Sequence, residues 1–119
     1  MENKYSCPCL HKCPLQHAMD VIGGKWKIAI LCSLHTNGST RYNELKRNLK
    51  GISNTMLAKS LKELETDGLI TRQEYIEVPI RIEYNITNKT KKLIPILEDL
   101  AKWGITLYND HEIWCISDF

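Results

Sequence analysis

Apolar positions recur at helical spacing through the first half of the chain, at strand spacing for a short stretch, and at helical spacing again to the end. Leu15, Ala18, Met19 and Ile22 fall at i, i+3, i+4 and i+7, one face of a short helix that Gly23-Gly24 ends. Lys25 to Leu34 reads as a second helix, with Trp26, Ala29, Ile30 and Leu34 inward. Asn37-Gly38 is a turn signal. Ser39 or Thr40 then caps a third helix in which Tyr42, Leu45 and Leu49 share a face, and Gly51 breaks it. Ser53 is an N-cap for a fourth helix over 54–67, closed by Gly68. Leu57, Leu61 and Leu64 form its inward stripe, and Asn54, Thr55, Ala58, Lys59 and Lys62 lie on the opposite face.

The period then changes. Ile80, Ile82, Tyr84 and Ile86 alternate with Arg81, Glu83 and Asn85, which predicts a strand. Residues 69–75 form its partner, and 76–79 are the tip of the hairpin between them. Thr87 caps a last helix with two apolar seams, Leu93, Leu97, Leu100 and Leu107 on one, Ile94, Ala101, Ile105 and Tyr108 on the other. Pro95 removes a backbone donor and should kink or restart that helix. Four helices, a hairpin and a helix make a mainly α fold with a small β-hairpin, α+β in class. The third and fourth helices, joined around Gly51, have the layout of a helix-turn-helix with the hairpin as a wing.

Composition narrows the classes. The chain has 119 residues, 43% apolar and 25% charged, which suits one folded domain that buries roughly two-thirds of its unfolded surface. A (β/α)₈ barrel does not fit this length. No apolar run approaches the ~18–20 residues of a membrane span. The start, MENKYSCPCLHKCPL, lacks an apolar signal core, so a cytosolic protein is expected and no membrane partner. The formal charge of +2 conceals an uneven distribution. Residues 1–24 are net 0, residues 25–92 net +6 and residues 93–119 net −4. The sharpest stretch, 25–62, carries eight basic residues against Glu44 alone. A basic middle is the footprint of a polyanion partner, although on charge alone it also fits a solvated surface.

In a helix-turn-helix the second helix enters the major groove with its N-terminal residues leading. Here that helix opens Ser53-Asn54-Thr55, short side chains that donate and accept beside helical N–H groups that favour phosphate. Asn54 can contact adenine bidentately, and Lys59 and Lys62 can reach guanine or phosphate. Arg81, near the wing tip, can reach a neighbouring minor groove or backbone, or can pair with Glu83 or Glu77 across the hairpin.

The residues also carry a family resemblance. Cys13-Pro14, Ile22-Gly23-Gly24-Lys25-Trp26-Lys27, Arg41-Tyr42-Asn43-Glu44-Leu45 and Gly51-Ile52-Ser53-x-x-Met56-Leu57 resemble the HxlR-type branch of bacterial MarR-like winged-helix regulators. So do Leu61-x-x-Leu64-x-x-x-Gly68-Leu69-Ile70 and Val78-Pro79-x-Arg81-Ile82-Glu83-Tyr84. The likeness spans about Cys13 to Gly104, with Ile80 standing where a second proline is common and Asn88-Lys89-Thr90 replacing an acidic-x-Gly start. It implies a homodimeric transcription factor with a recognition helix over 53–67 and a wing over 76–81. The DNA-binding set is then Arg41, Ser53, Asn54, Thr55, Lys59, Lys62 and Arg81. A dimerisation helix over about 88–111 would contribute Leu97, Leu100, Trp103, Leu107 and Tyr108. One domain buries only one of the two seams easily, which supports the same expectation independently. A two-fold dimer predicts a pseudo-palindromic double-stranded site.

The five cysteines pose a separate question. Cys7, Cys9 and Cys13 lie in a Cys-rich tail, 1–12, and at the start of a single domain, 13–119. With His11 they make a C-x-C-x-H-x-C spacing uncommon for a closed zinc site, so neither a metal nor a cofactor is expected. Cys13 precedes Pro14 at a helix N-terminus, which lowers a thiol pKa. The resemblance implies that the cysteine matching Cys13 senses oxidants or electrophiles, with Cys7, Cys9 or Cys115 as resolving partners and a Cys13–Cys115 bridge between subunits conceivable. Cys32 reads as a small core residue. A frayed reduced tail without a role is the plain alternative for the cluster. His11, His17, His35 and His111 are scattered, and no phosphate loop or carboxylate pair is present, so an enzyme is not expected. The competing reading is a small cytosolic metal-binding or thiol redox protein using Cys7, Cys9, His11 and Cys13.

Overall fold

A computed structural model describes residues 13–108. Its elements are α1 (Pro14–Ile22), α2 (Lys27–Asn37), β1 (Thr40–Arg41), α3 (Tyr42–Asn48), α4 (Asn54–Thr66), β2 (Ile70–Tyr75), β3 (Arg81–Ile86) and α5 (Asn88–Ile105). The three strands form one antiparallel sheet in the order β1-β3-β2. β2 and β3 pair from Ile70 opposite Ile86 to Tyr75 opposite Arg81. The architecture is the expected winged helix-turn-helix of mixed α+β class, with one strand more than the hairpin predicted.

That strand corrects the reading of Thr40. It is not a helix cap: Thr40 is buried, pairs with Tyr84, and its Oγ1 donates to the Gly38 carbonyl at 2.8 Å. Arg41 stands at the N-cap of α3 with no side-chain capping bond. The other caps follow the sequence. The Ser53 hydroxyl accepts from the Met56 N–H at 3.1 Å, and the Thr87 hydroxyl accepts from the Thr90 N–H at 3.4 Å.

The core lies where α2, α3, α4 and α5 meet the inner face of the sheet. Ile30, Leu31, Leu34, Leu45, Leu57 and Leu64 are fully buried, joined by Leu61, Ile70, Tyr84, Ile94 and Leu97. Full burial of one such side chain contributes about 1.5–3 kcal/mol, so these contacts dominate the stability. Thr90 is buried as well, and its hydroxyl is satisfied by the Leu69 carbonyl at 2.6 Å.

Three expectations about the helices change. α2 begins at Lys27 rather than Lys25, and Leu31, absent from the predicted inward set, is among its fully buried residues. α5 runs through Pro95 as one helix and does not restart, with Pro95 on its exposed side. Leu97, grouped by sequence with a dimer contact, packs in this chain's own core. Its seam-mates Leu100 and Leu107 are exposed at 53% and 66%, as is Trp103 at 60%, and Leu15 and Met19 of α1 are exposed as well. No helix among the described residues is long and apolar enough to cross a membrane.

Candidate nucleic-acid interface

The turn between α3 and α4 is built by three residues. Leu49 and Ile52 are buried, which pins both ends of the turn to the core. Gly51 between them has φ 93, a left-handed conformation that other residues adopt only with strain. The turn directs Ser53, Asn54 and Thr55 to solvent at the start of α4. Ser53 serves as the cap, with one lone pair of its hydroxyl accepting from the backbone. Asn54 is held from α3: the Tyr42 hydroxyl donates to the Asn54 carbonyl at 3.2 Å, with the Asn54 Oδ1 at 3.3 Å. This contact orients the Asn54 amide and ties the two helices of the motif. Twelve residues separate the partners, and the sequence reading missed it.

Further along α4, Lys59 and Lys62 are exposed, and neither forms an ion pair among the described residues. They share the outward face with Asn54, Thr55 and Ala58, while Leu57, Ser60, Leu61 and Leu64 are buried behind them. At the far end of the same helix Glu63 accepts from Lys27 of α2 at 2.9 Å. That bond holds the Glu63 carboxyl below its ordinary pKa, with the charge of Lys27 and then of Lys59 adding to the effect. Lys27 also donates to the Val21 carbonyl at 3.3 Å, so one ammonium braces α4 against α2 and the end of α1.

The wing differs. Arg81 Nη2 bonds Glu77 at 2.9 Å and Arg81 Nη1 bonds Glu83 at 2.6 Å. The guanidinium lies 4.0 Å from the centroid of the Tyr75 ring, and its Nε is buried with no hydrogen-bond partner. The bond to Glu77, and then that to Glu83, favour the charged form of Arg81. The sequence left Arg81 between a groove contact and a hairpin ion pair; in this structure both carboxylates engage it. Arg72 is likewise bonded to Glu74 at 2.8 Å. Beyond these pairs the tip, with Ile76 and Val78, is fully exposed, and the Val78–Pro79 bond is cis.

Arg41, at the junction of β1 and α3, is exposed and faces the wing across a cleft that Arg47 and Ile80 also line. The structure therefore brings Arg41 and Arg81 to one cleft, and Ser53, Asn54, Thr55, Lys59 and Lys62 to one helix face. Cys13 is a free, half-buried thiol at the N-cap of α1. Cys7, Cys9 and Cys115 lie outside the described residues. Cys32 is half-buried rather than sealed in the core, in a cleft of about 570 Å³ between α2 and α5 lined by Ile94, Leu97, Glu98 and Ala101. Burial, and secondarily the charge of Glu98, push its thiol pKa up, which opposes reactivity.

Over residues 21–112 the sequence matches the HxlR-like helix-turn-helix family. It is 48% identical over 103 residues to the regulatory protein MalR of Fusobacterium mortiferum, spanning 87% of this chain and 92% of that one. A MarR-family transcriptional regulator of Porphyromonas gingivalis W83 is 39% identical and superposes with a TM-score of 0.75, over 82% of this chain and 95% of that one. The redox regulator HypR in its oxidised form superposes with a TM-score of 0.73 at 37% identity, over 82% of this chain and 99% of that one. On these grounds, and on its three-stranded winged helix-turn-helix architecture, the chain belongs to the HxlR-like helix-turn-helix family of transcriptional regulators.

Proposed function

We propose that the chain acts in the cytoplasm as a homodimeric, sequence-specific double-stranded DNA-binding regulator whose activity responds to a small oxidant or electrophile through Cys13. The outward face of α4 carries the DNA reading. It offers an amide held in place by Tyr42, a short hydroxyl at Thr55, and two ammonium groups with no ion pair among the described residues, on a helix whose apolar stripe is fully used. Such a face suits base edges and phosphates, with Asn54 the candidate for adenine and Lys59 and Lys62 for guanine or backbone. Ser53 contributes through the helix N-terminus that it caps, Arg41 contributes from the cleft beside the wing, and Arg81 is available there to the extent that Glu77 and Glu83 release it.

The dimer reading is supported by the unfinished apolar surface of α5, where Leu100 and Trp103 are exposed, with Leu107 and Tyr108 following the helix and Leu15 and Met19 of α1 also exposed. Leu97 stays with the core of its own subunit. The thiol reading rests on Cys13 at the N-cap of α1 and on the likeness to a redox regulator. Oxidation would join Cys13 to Cys7, Cys9 or Cys115, the two thiols giving up two protons and two electrons to the oxidant.

The test is capture of genomic DNA fragments by reduced and by diamide-treated protein, diamide being reduced to its hydrazine as the disulfide forms. The reduced protein should enrich a pseudo-palindrome with half-sites about one helical turn apart, or a multiple. Enrichment of no sequence would refute the DNA reading. Cys13→Ser should abolish the difference between the two samples, and an unaltered response in that variant would sink the sensor.

A further inference from the structure

The cleft between α3 and the wing has a volume of about 730 Å³ and is lined by three arginines, Arg41, Arg47 and Arg81, with Tyr42, Ile80 and Ile82. Their charges are not equally available. Arg81 is shared between Glu77 and Glu83 and stacked on Tyr75. Arg41 and Arg47 are exposed and make no ion pair among the described residues, although Glu44 lies on the same wall of the cleft. The pairing is a matter of register. Arg41 lies opposite Glu83 across the β1–β3 ladder, and Arg81 is two residues from Glu83 on the same face of the sheet. Two guanidinium groups thus stand in register with one carboxylate, and Arg81, which also bonds Glu77, is the one that engages it.

We propose that this cleft is a binding site for a DNA backbone phosphodiester, served by Arg41 and Arg47, with Arg81 held in reserve by the exposed carboxylate of Glu77. The site rests on the DNA-binding reading and places the backbone between α3 and the wing while α4 lies in the groove. Arg47 becomes a phosphate contact, a role its sequence position did not suggest. Glu77 becomes a positioning residue that keeps the wing arginine turned inward and lowers affinity for DNA at large. Guanidinium suits this task because its planar donors match two oxygens of one phosphate.

The experiment measures the affinity of the full chain for a 40-base-pair duplex of mixed sequence across a salt series. Each phosphate contact contributes about 0.9 to the slope of log affinity against log salt. Arg47→Ala should weaken binding about tenfold at low salt and reduce the slope by about one, while Arg47→Lys should keep the slope. Glu77→Gln should tighten binding by about three- to tenfold and steepen the slope by about one. Glu74→Gln makes the same charge change in the same hairpin but on the Arg72 pair, and should change affinity less than twofold. If the wild type binds no duplex at any salt, the DNA reading falls and this proposal with it. If the wild type binds but Arg47→Ala keeps its slope, the phosphate site is refuted alone. If Glu77→Gln does no more than Glu74→Gln, the reserve role of Arg81 is refuted.

Discussion

α4 and α5 are built alike and finished differently. Each buries an apolar stripe in the common core, Leu57, Leu61 and Leu64 from α4, and Ile94 and Leu97 from α5. The outward face of α4 is polar and basic, with Asn54, Thr55, Lys59 and Lys62. The outward face of α5 is apolar along Ile96, Leu100 and Trp103, and Leu107 continues the row just past its end. The first face is at rest in water and suits a hydrated polyanion. The second leaves several large side chains in water, which a monomeric domain seldom does. One chain therefore presents two unlike surfaces from two similar helices, the first suited to a polar partner and the second, on the reading proposed above, to a second copy of itself.

The largest expected effect breaks the α5 half of this contrast. Leu100→Asp combined with Trp103→Asp places two charges on that face and should convert the dimer to a monomer by sedimentation. With one half-site per molecule, affinity for a palindromic operator should fall by more than about a hundredfold, because the second contact loses its effective concentration. Each chain should still fold, since neither residue belongs to the core, while the melting temperature falls by the share that the subunit contact supplied. A monomeric wild type would remove α5 from the interface altogether. Next in size is Lys59→Ala on α4, which should weaken DNA binding by about tenfold and reduce the salt slope by about one without moving the oligomeric state. An unchanged slope would show that this face of α4 does not meet DNA.

Ser53→Ala acts on α4 itself. It removes the acceptor for the Met56 N–H and should cost about 1 kcal/mol of stability, read from a urea melt. DNA affinity should fall by a similar fraction in reduced and oxidised protein, because the cap orders the first turn that carries Asn54 and Thr55. If stability is untouched, water replaces the cap and the first turn is held by Tyr42 instead.

Most of the fold could be read from residue spacing because the reading required only local information. The α4 stripe, its Ser53 cap and the strand alternation of Ile82, Tyr84 and Ile86 all express themselves within a few residues. What escaped depended on distant partners. β1 is two residues long and exists because Thr40 and Arg41 find Tyr84 and Glu83, more than forty positions away. The Tyr42 to Asn54 contact has the same character. Periodicity identifies the seams of α5 but cannot divide them between this chain and another, so Leu97 groups with Leu100 in a dimer contact although it turns into the core. At Arg81 the sequence held both outcomes open, and only the folded hairpin, with Glu77 and Glu83 both within 3 Å, shows which groups hold it.

The smallest effect concerns how α4 is braced against α2. Glu63 bonds the largely enclosed ammonium of Lys27 at 2.9 Å, and that bond lowers the carboxyl pKa below the value of about 4.3 usual for an unfolded chain. A carboxyl depressed in the folded state binds its proton less readily there than in the unfolded state. Its contribution is therefore present at neutral pH and is lost as pH falls through the depressed value. Glu63→Gln should lower the urea midpoint slightly at pH 7, and the midpoints of variant and wild type should converge as the medium is acidified below pH 4. A gap that persists unchanged into acid would mean that the amide disturbs packing rather than charge. Because Lys27 also grips the Val21 carbonyl, loss of the ion pair leaves the ammonium anchored, and the brace weakens without letting α4 go.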